Sequence, residues 1–182
     1  MMQAIACTHD LGHPPFGHGG EVALNYCMRG AGGFEGNGQT LRILSRLEKM
    51  SKMAGSNLTR ETMLGVLKYP VSYTTAANPD IMPALRPSTS GTPILDRKAS
   101  KPPKCYLDTE NDVVEWLLET LEASDREAFQ TFNQIEGKHT RRGTSPSPAA
   151  LWTWPTTSAS AFMISKTCSP CGLSRGLTLK SM

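Results

Sequence analysis

The sequence predicts an all-α body followed by an irregular tail. Three observations predict it. Helical apolar stripes recur from Leu41 onward, no strand-period run competes with them, and the helical periodicity stops at about Gly137. With 182 residues, 38% of them hydrophobic and 19% charged, the chain is long enough for one or two modest domains with a real core.

The first stripe is Leu41, Ile43, Leu44, Leu47 and Met50, with Arg42, Arg46, Lys49 and Lys52 towards water. Thr59 suits the N-cap of a helix through Leu64, Val66 and Leu67, which Pro70 stops. Pro70 to Pro103 is proline-rich and aperiodic, which predicts a long loop. Asp108 or Thr109 then caps an amphipathic helix carrying Val113, Val114, Leu117, Leu118 and Leu121. Ser124 followed by Glu127 has the spacing of a capping box and opens a helix through Phe129 and Phe132.

These elements divide the chain into a helical unit, 1–137, and a tail, 138–182. The tail holds six Lys/Arg, no acid, fifteen Ser/Thr and four Pro, beside Trp152, Trp154 and Phe162. The formal charge of +3 belongs to it, since 1–137 carry thirteen basic against sixteen acidic residues. The basic balance is therefore no sign of nucleic acid, and Arg141-Arg142 near two tryptophans is a weak patch. No apolar run approaches the ~20 residues of a membrane span, and no signal-peptide pattern opens the chain. Cys7, Cys27, Cys105, Cys168 and Cys171 are too scattered for a disulfide scaffold, so a reducing, cytoplasmic setting is expected.

Three of the four histidines fall within Thr8-His9-Asp10-Leu11-Gly12-His13-Pro14-Pro15-Phe16-Gly17-His18-Gly19-Gly20-Glu21. The adjacent imidazole and carboxylate of His9 and Asp10 offer mixed nitrogen and oxygen ligands, which suit Mn, Mg, Fe or Zn. His9 and His13 would share one face of a helical turn that Pro14-Pro15 break, and the glycines would let the backbone approach a ligand. His18 and Glu21, three apart, form a His–carboxylate pair in which Glu21 orients His18.

This segment resembles the deoxyguanosine triphosphate triphosphohydrolase family of the HD-domain superfamily. His9 to Glu21 is similar to that family's signature. Gly33-Phe34-Glu35-Gly36-Asn37, Gln39-Thr40-Leu41-Arg42-Ile43-Leu44, Asn57-Leu58-Thr59 through Leu67-Lys68-Tyr69-Pro70, and Pro103-Lys104-Cys105-Tyr106 are similar to its following blocks. The resemblance spans 1–137. It implies a partial HD-like helical bundle and cleavage of a deoxynucleoside triphosphate, dGTP or another dNTP, to deoxynucleoside and triphosphate. It implies His9 and Asp10 as metal ligands for Mg²⁺ or Mn²⁺, with Fe or Zn as alternatives, and His18 acting on the leaving group with Glu21 in support. It further implies His13 near the phosphates, Asn37 and Gln39 facing the pocket, and a homo-oligomer.

The same resemblance implies a first histidine ligand well upstream of His9 and a fourth, aspartate ligand within 138–182. The chain starts eight residues before His9 and the tail has no Asp, so two of four protein ligands, weak metal binding and impaired catalysis are expected. A catalytically silent nucleotide-binding module is the alternative. A small zinc or redox protein built on Cys168-Ser169-Pro170-Cys171 is a third reading, weakened by the absence of a second Cys/His pair in the tail. The tail itself reads as frameshifted. Trp152 to Thr157 must be encoded TGG ACN TGG CCN ACN ACN, and one base earlier this becomes NTG GAC NTG GCC NAC NAC, which forces one Asp and one Ala.

Overall fold

The computed structural model describes residues 2–133 and 135–142. Helices α1 (Met2–Thr8), α2 (His18–Cys27), α3 (Gly36–Arg42), α4 (Arg60–Val66), α5 (Tyr73–Ala76), α6 (Asn111–Leu118) and α7 (Ala123–Phe129) make the body. The predicted helical class holds, with one addition. Two antiparallel strand pairs of two residues each, β1 (Leu85–Arg86) with β2 (Ile94–Leu95) and β3 (Phe132–Asn133) with β4 (Arg141–Arg142), form ribbons too short for alternation to show in sequence.

The core gathers Leu41, Leu44, Met63, Leu64, Leu67, Val114, Leu117, Leu118 and Phe129, so α3, α4, α6 and α7 share one apolar centre. Ile5 of α1 packs against it at Gly65, where a Cβ would collide with the Ile5 side chain. That contact seats α1 on α4 and delivers the end of α1, where the motif begins, to the front of the bundle.

The first stripe is only half buried. Leu41 and Leu44 are enclosed, but Leu47 and Met50 are 50% and 79% exposed. The helix widens into a π turn, Ile43–Leu47, and the backbone turns extended at Glu48. Ser56 then donates from both its N–H and its hydroxyl to the Leu44 carbonyl, at 2.8 and 2.7 Å, so a returning loop satisfies the helix end.

Thr59 caps α4 as predicted, its hydroxyl accepting from the Thr62 N–H at 3.4 Å. The other two caps differ. A 3₁₀ turn, Asp108–Glu110, leads into α6, and the Asp108 carboxylate instead accepts from the Thr74 N–H and hydroxyl. Helix α7 opens at Ala123 after Glu122 with no side-chain cap, and Phe132 lies in β3, beyond the helix. The proline-rich stretch contains α5 and the first ribbon besides its loops. Residues 138–142, the start of the predicted tail, meet the body: Thr140 N–H donates to the Ala76 carbonyl at 3.1 Å, and Asn78 N–H to His139 Nδ1 at 3.0 Å. The frameshift reading, the Cys168/Cys171 pair and the tryptophans lie outside the described residues. No helix among the described residues is long and apolar enough to cross a membrane.

Candidate active site

The motif is not one helical turn. Helix α1 ends at Thr8, and 9–17 run as successive turns held by Leu11 N–H to Thr8, His13 N–H to Asp10 and Gly17 N–H to Pro14. Asp10, not a helix face, is what brings the two histidines together. His9 Nε2 stands 2.9 Å from Asp10 Oδ2, and His13 Nδ1 stands 3.5 Å from Asp10 Oδ1. The second distance is an ion-pair separation without hydrogen-bond geometry, so the buried His13 Nδ1 has no hydrogen-bond partner. Gly12 serves packing and not ligand approach: a Cβ there would strike the backbone of α3 at Gly36 and Thr40.

His9 Nδ1 donates to the Ala6 carbonyl at 2.8 Å. In a neutral ring Nε2 then carries the lone pair, 2.9 Å from a carboxylate oxygen of Asp10. Two lone pairs at that distance call for a bridging proton or cation, and a carbonyl-anchored imidazole beside a carboxylate is the donor set of a divalent metal site. The pair therefore fits a metal. Lys68 Nζ also reaches Asp10 Oδ1, at 3.3 Å, and competes for that oxygen.

Helix α2 begins at His18, and Glu21 one turn on is buried at 3% exposure. Glu21 Oε2 accepts from His18 Nδ1 at 3.0 Å, so the structure pairs these two residues. Glu21 Oε1 accepts from the Gly36 N–H and from Lys104 Nζ, each at 3.1 Å. Burial pushes the Glu21 carboxyl up, but the Gly36 N–H, His18 and Lys104 outweigh it and hold it below the usual carboxylate range. His13, His18 and Glu21 each offer a donor atom, all within 4.8 Å of one another, a second donor set able to hold a cation. Glu21 already serves three donors there, which suits an orienting carboxylate better than a ligand.

A cavity of about 500 Å³ opens between these groups, walled by Asp10, His13, His18, Asn37, Lys68 and Lys104 among others. Asn37 faces it; Gln39, on α3, and His9 are not on its wall. Sequence reasoning left Glu35 and Lys104 without a role. Glu35 is fully buried as the N-cap of α3, accepting from the Gly38 N–H at 2.8 Å and from Asn37 Nδ2 at 2.7 Å. An acid at the N-cap position before the small, polar Gly36-Asn37-Gly38 was the available signal.

Over 146 residues, 79% of the chain, the sequence is 47% identical to a deoxyguanosinetriphosphate triphosphohydrolase-like protein of Aliivibrio fischeri. It is 49% identical over 130 residues to deoxyguanosinetriphosphate triphosphohydrolase-like protein 2 of Deinococcus radiodurans, and 46% identical over 129 residues to a Shewanella relative of the same kind, each covering 71% of the chain. The chain is a homologue of these triphosphohydrolase-like proteins. It spans about a third of their length: 32%, 29% and 28% respectively. No family model matches the chain. The resemblance is thus one of homology over most of the chain.

Proposed function

We propose that this chain carries the motif half of a metal-dependent dNTP triphosphohydrolase site. One observation carries the reading: two His–carboxylate pairs, His9–Asp10, fit for a metal, and His18–Glu21, whose carboxylate is buried, each place one member, Asp10 and His18, on the wall of one cavity. His9 and Asp10 would hold the divalent ion, Mg²⁺ or Mn²⁺ first, which when bound polarises phosphate oxygens and supplies activated water.

The remaining work falls to side chains. Glu21 holds His18 through Nδ1–H, so the doubly protonated ring delivers its Nε2 proton to the departing 5′-oxygen of a deoxynucleoside triphosphate and is left neutral with its proton on Nδ1. His13, Asn37 and Lys68 face the cavity where phosphate oxygens would lie. Lys68 contests an oxygen of Asp10, so the His9–Asp10 pair by itself holds metal weakly. The acid-free tail from 138 we read as frameshifted, which the coding nucleotides opposite Thr156 and Thr157 decide.

The test is product analysis with dGTP and Mn²⁺. Inorganic triphosphate should appear far below the ~10 s⁻¹ of a median enzyme and vanish in His18→Ala. Release of pyrophosphate or orthophosphate in place of triphosphate, or triphosphate release indifferent to His18→Ala, overturns the proposal.

A further inference from the structure

We infer that Lys104 is a positioning residue: its ammonium clamps Glu21 against Glu35 and thereby fixes which nitrogen of His18 carries the proton. The inference rests on the preceding reading for what His18 does, but its geometry stands without it.

Lys104 Nζ donates to Glu35 Oε1 at 2.9 Å and to Glu21 Oε1 at 3.1 Å. Both carboxylates are buried, at 0% and 3% exposure, and they come from different elements, the α3 N-cap and α2. One compact ammonium with three donors can serve two acceptors at once. Burial works against the ammonium, yet Glu35 and Glu21 more than offset it and raise Lys104 above the ordinary lysine range.

The clamp leaves Glu21 one orientation. Oε1 is taken by Lys104 and the Gly36 N–H, so Oε2 faces His18, and an acceptor fixed there requires His18 Nδ1 to be the protonated nitrogen. Two carboxylates against one ammonium also leave a surplus negative charge beside the imidazole. The far side of the clamp reaches the cavity too, because Glu35 Oε1 accepts from Asn37 Nδ2. A single lysine thus ties the His18 pair to the Asn37 wall.

The backbone that carries Lys104 is held on both sides. Asn25, buried on α2, donates to the Ser100 carbonyl at 3.1 Å, and Tyr106 N–H donates to the Val71 carbonyl at 2.9 Å. Pro102 and Pro103, both buried, stiffen the approach. A salt bridge needed only for stability would not require its lysine to meet the one carboxylate that addresses His18.

The experiment is long-range ¹H–¹⁵N NMR of the full chain, without nucleotide or metal. In the unaltered protein the neutral His18 ring should be the Nδ1–H form. In Lys104→Gln, shown folded by circular dichroism, the tautomer ratio should move towards Nε2–H by about tenfold, the worth of one charge-assisted hydrogen bond, and Lys104→Arg should restore it. An unchanged ratio in folded Lys104→Gln overturns the inference. Should that variant not fold, the unaltered chain decides: Lys104 ammonium protons should exchange with water at least about tenfold more slowly than those of other lysines, and equal rates overturn the clamp. A negative triphosphate assay leaves both readouts untouched, so the two proposals fail separately.

Discussion

The Gly12 N–H donates to Thr40 Oγ1 at 2.9 Å, and that hydroxyl in turn donates a hydrogen bond to the Gly36 carbonyl at 3.0 Å. Through this pair the motif loop is pinned to the first turn of α3, the helix whose cap, Glu35, holds Lys104.

Thr40→Val keeps the shape of that pin and removes its oxygen. Thr40 is fully buried, so the Gly12 N–H is left without a partner, and the chain should lose about 1–3 kcal/mol in urea unfolding. Gly12→Ala should cost at least as much, because its Cβ meets α3 backbone that cannot step aside. Unaltered midpoints in both variants would mean that the loop is not seated as described.

Acid should expose the role of Glu21. Its folded carboxyl titrates below the unfolded one, so ionised Glu21 stabilises the fold above the unfolded value, and that contribution is lost as pH falls through the lower, folded value. The stability gap between the native chain and Glu21→Gln should therefore be widest near neutrality and narrow below about pH 4.5. Thermal melts of both proteins from pH 7 to 3 measure it.

Glu110 should behave in the opposite way. Burial raises its carboxyl, and although Arg46 and Arg42 lie 3.6 and 3.9 Å from Oε1, that oxygen has no hydrogen bond. A raised folded value makes the ionised form a cost that grows as pH rises through it. Glu110→Gln can keep the bond from the Thr109 hydroxyl and should be neutral or about 1 kcal/mol more stable at pH 7. A loss of 3 kcal/mol or so would show instead that the arginines depend on this charge.

The cysteines should separate by burial. Cys7 and Cys27 are exposed, whereas Cys105 is buried and its thiol is pushed well above the ordinary range by desolvation first and by Glu35 and Asp108 next. Iodoacetamide followed by peptide mapping should label Cys7 and Cys27 in the native chain and Cys105 only after denaturation. Equal labelling of Cys105 would contradict its place beside Val71 and Ala76.

Much of the fold was legible because apolar spacing reports a helix face directly. Val114, Leu117, Leu118 and the Thr59 cap stand where the pattern put them. Leu47 and Met50 do not, since nothing in their own spacing announces that the helix widens into a π turn and that Ser56 returns to take the Leu44 carbonyl. Local chemistry offers Asp108 or Thr109 as the cap, yet Thr74, 34 residues from Asp108 in sequence, takes the Asp108 carboxylate and α6 has no side-chain cap.

The sequence by itself determined the helical class, the motif from His9 to Glu21 and the pairing of His18 with Glu21, because one helical turn makes residues three apart neighbours. Only the tertiary structure decided that Asp10 stands between His9 and His13, that Gly12 seats the loop on Thr40, and that Lys104 joins Glu21 to Glu35 across separations of 83 and 69 residues. The reason is physical. A periodic face is written in consecutive residues, whereas two carboxylates buried on separate elements acquire their shared cation only when packing α2, α3 and the segment after Ser100 together removes water and leaves the ammonium as their solvent.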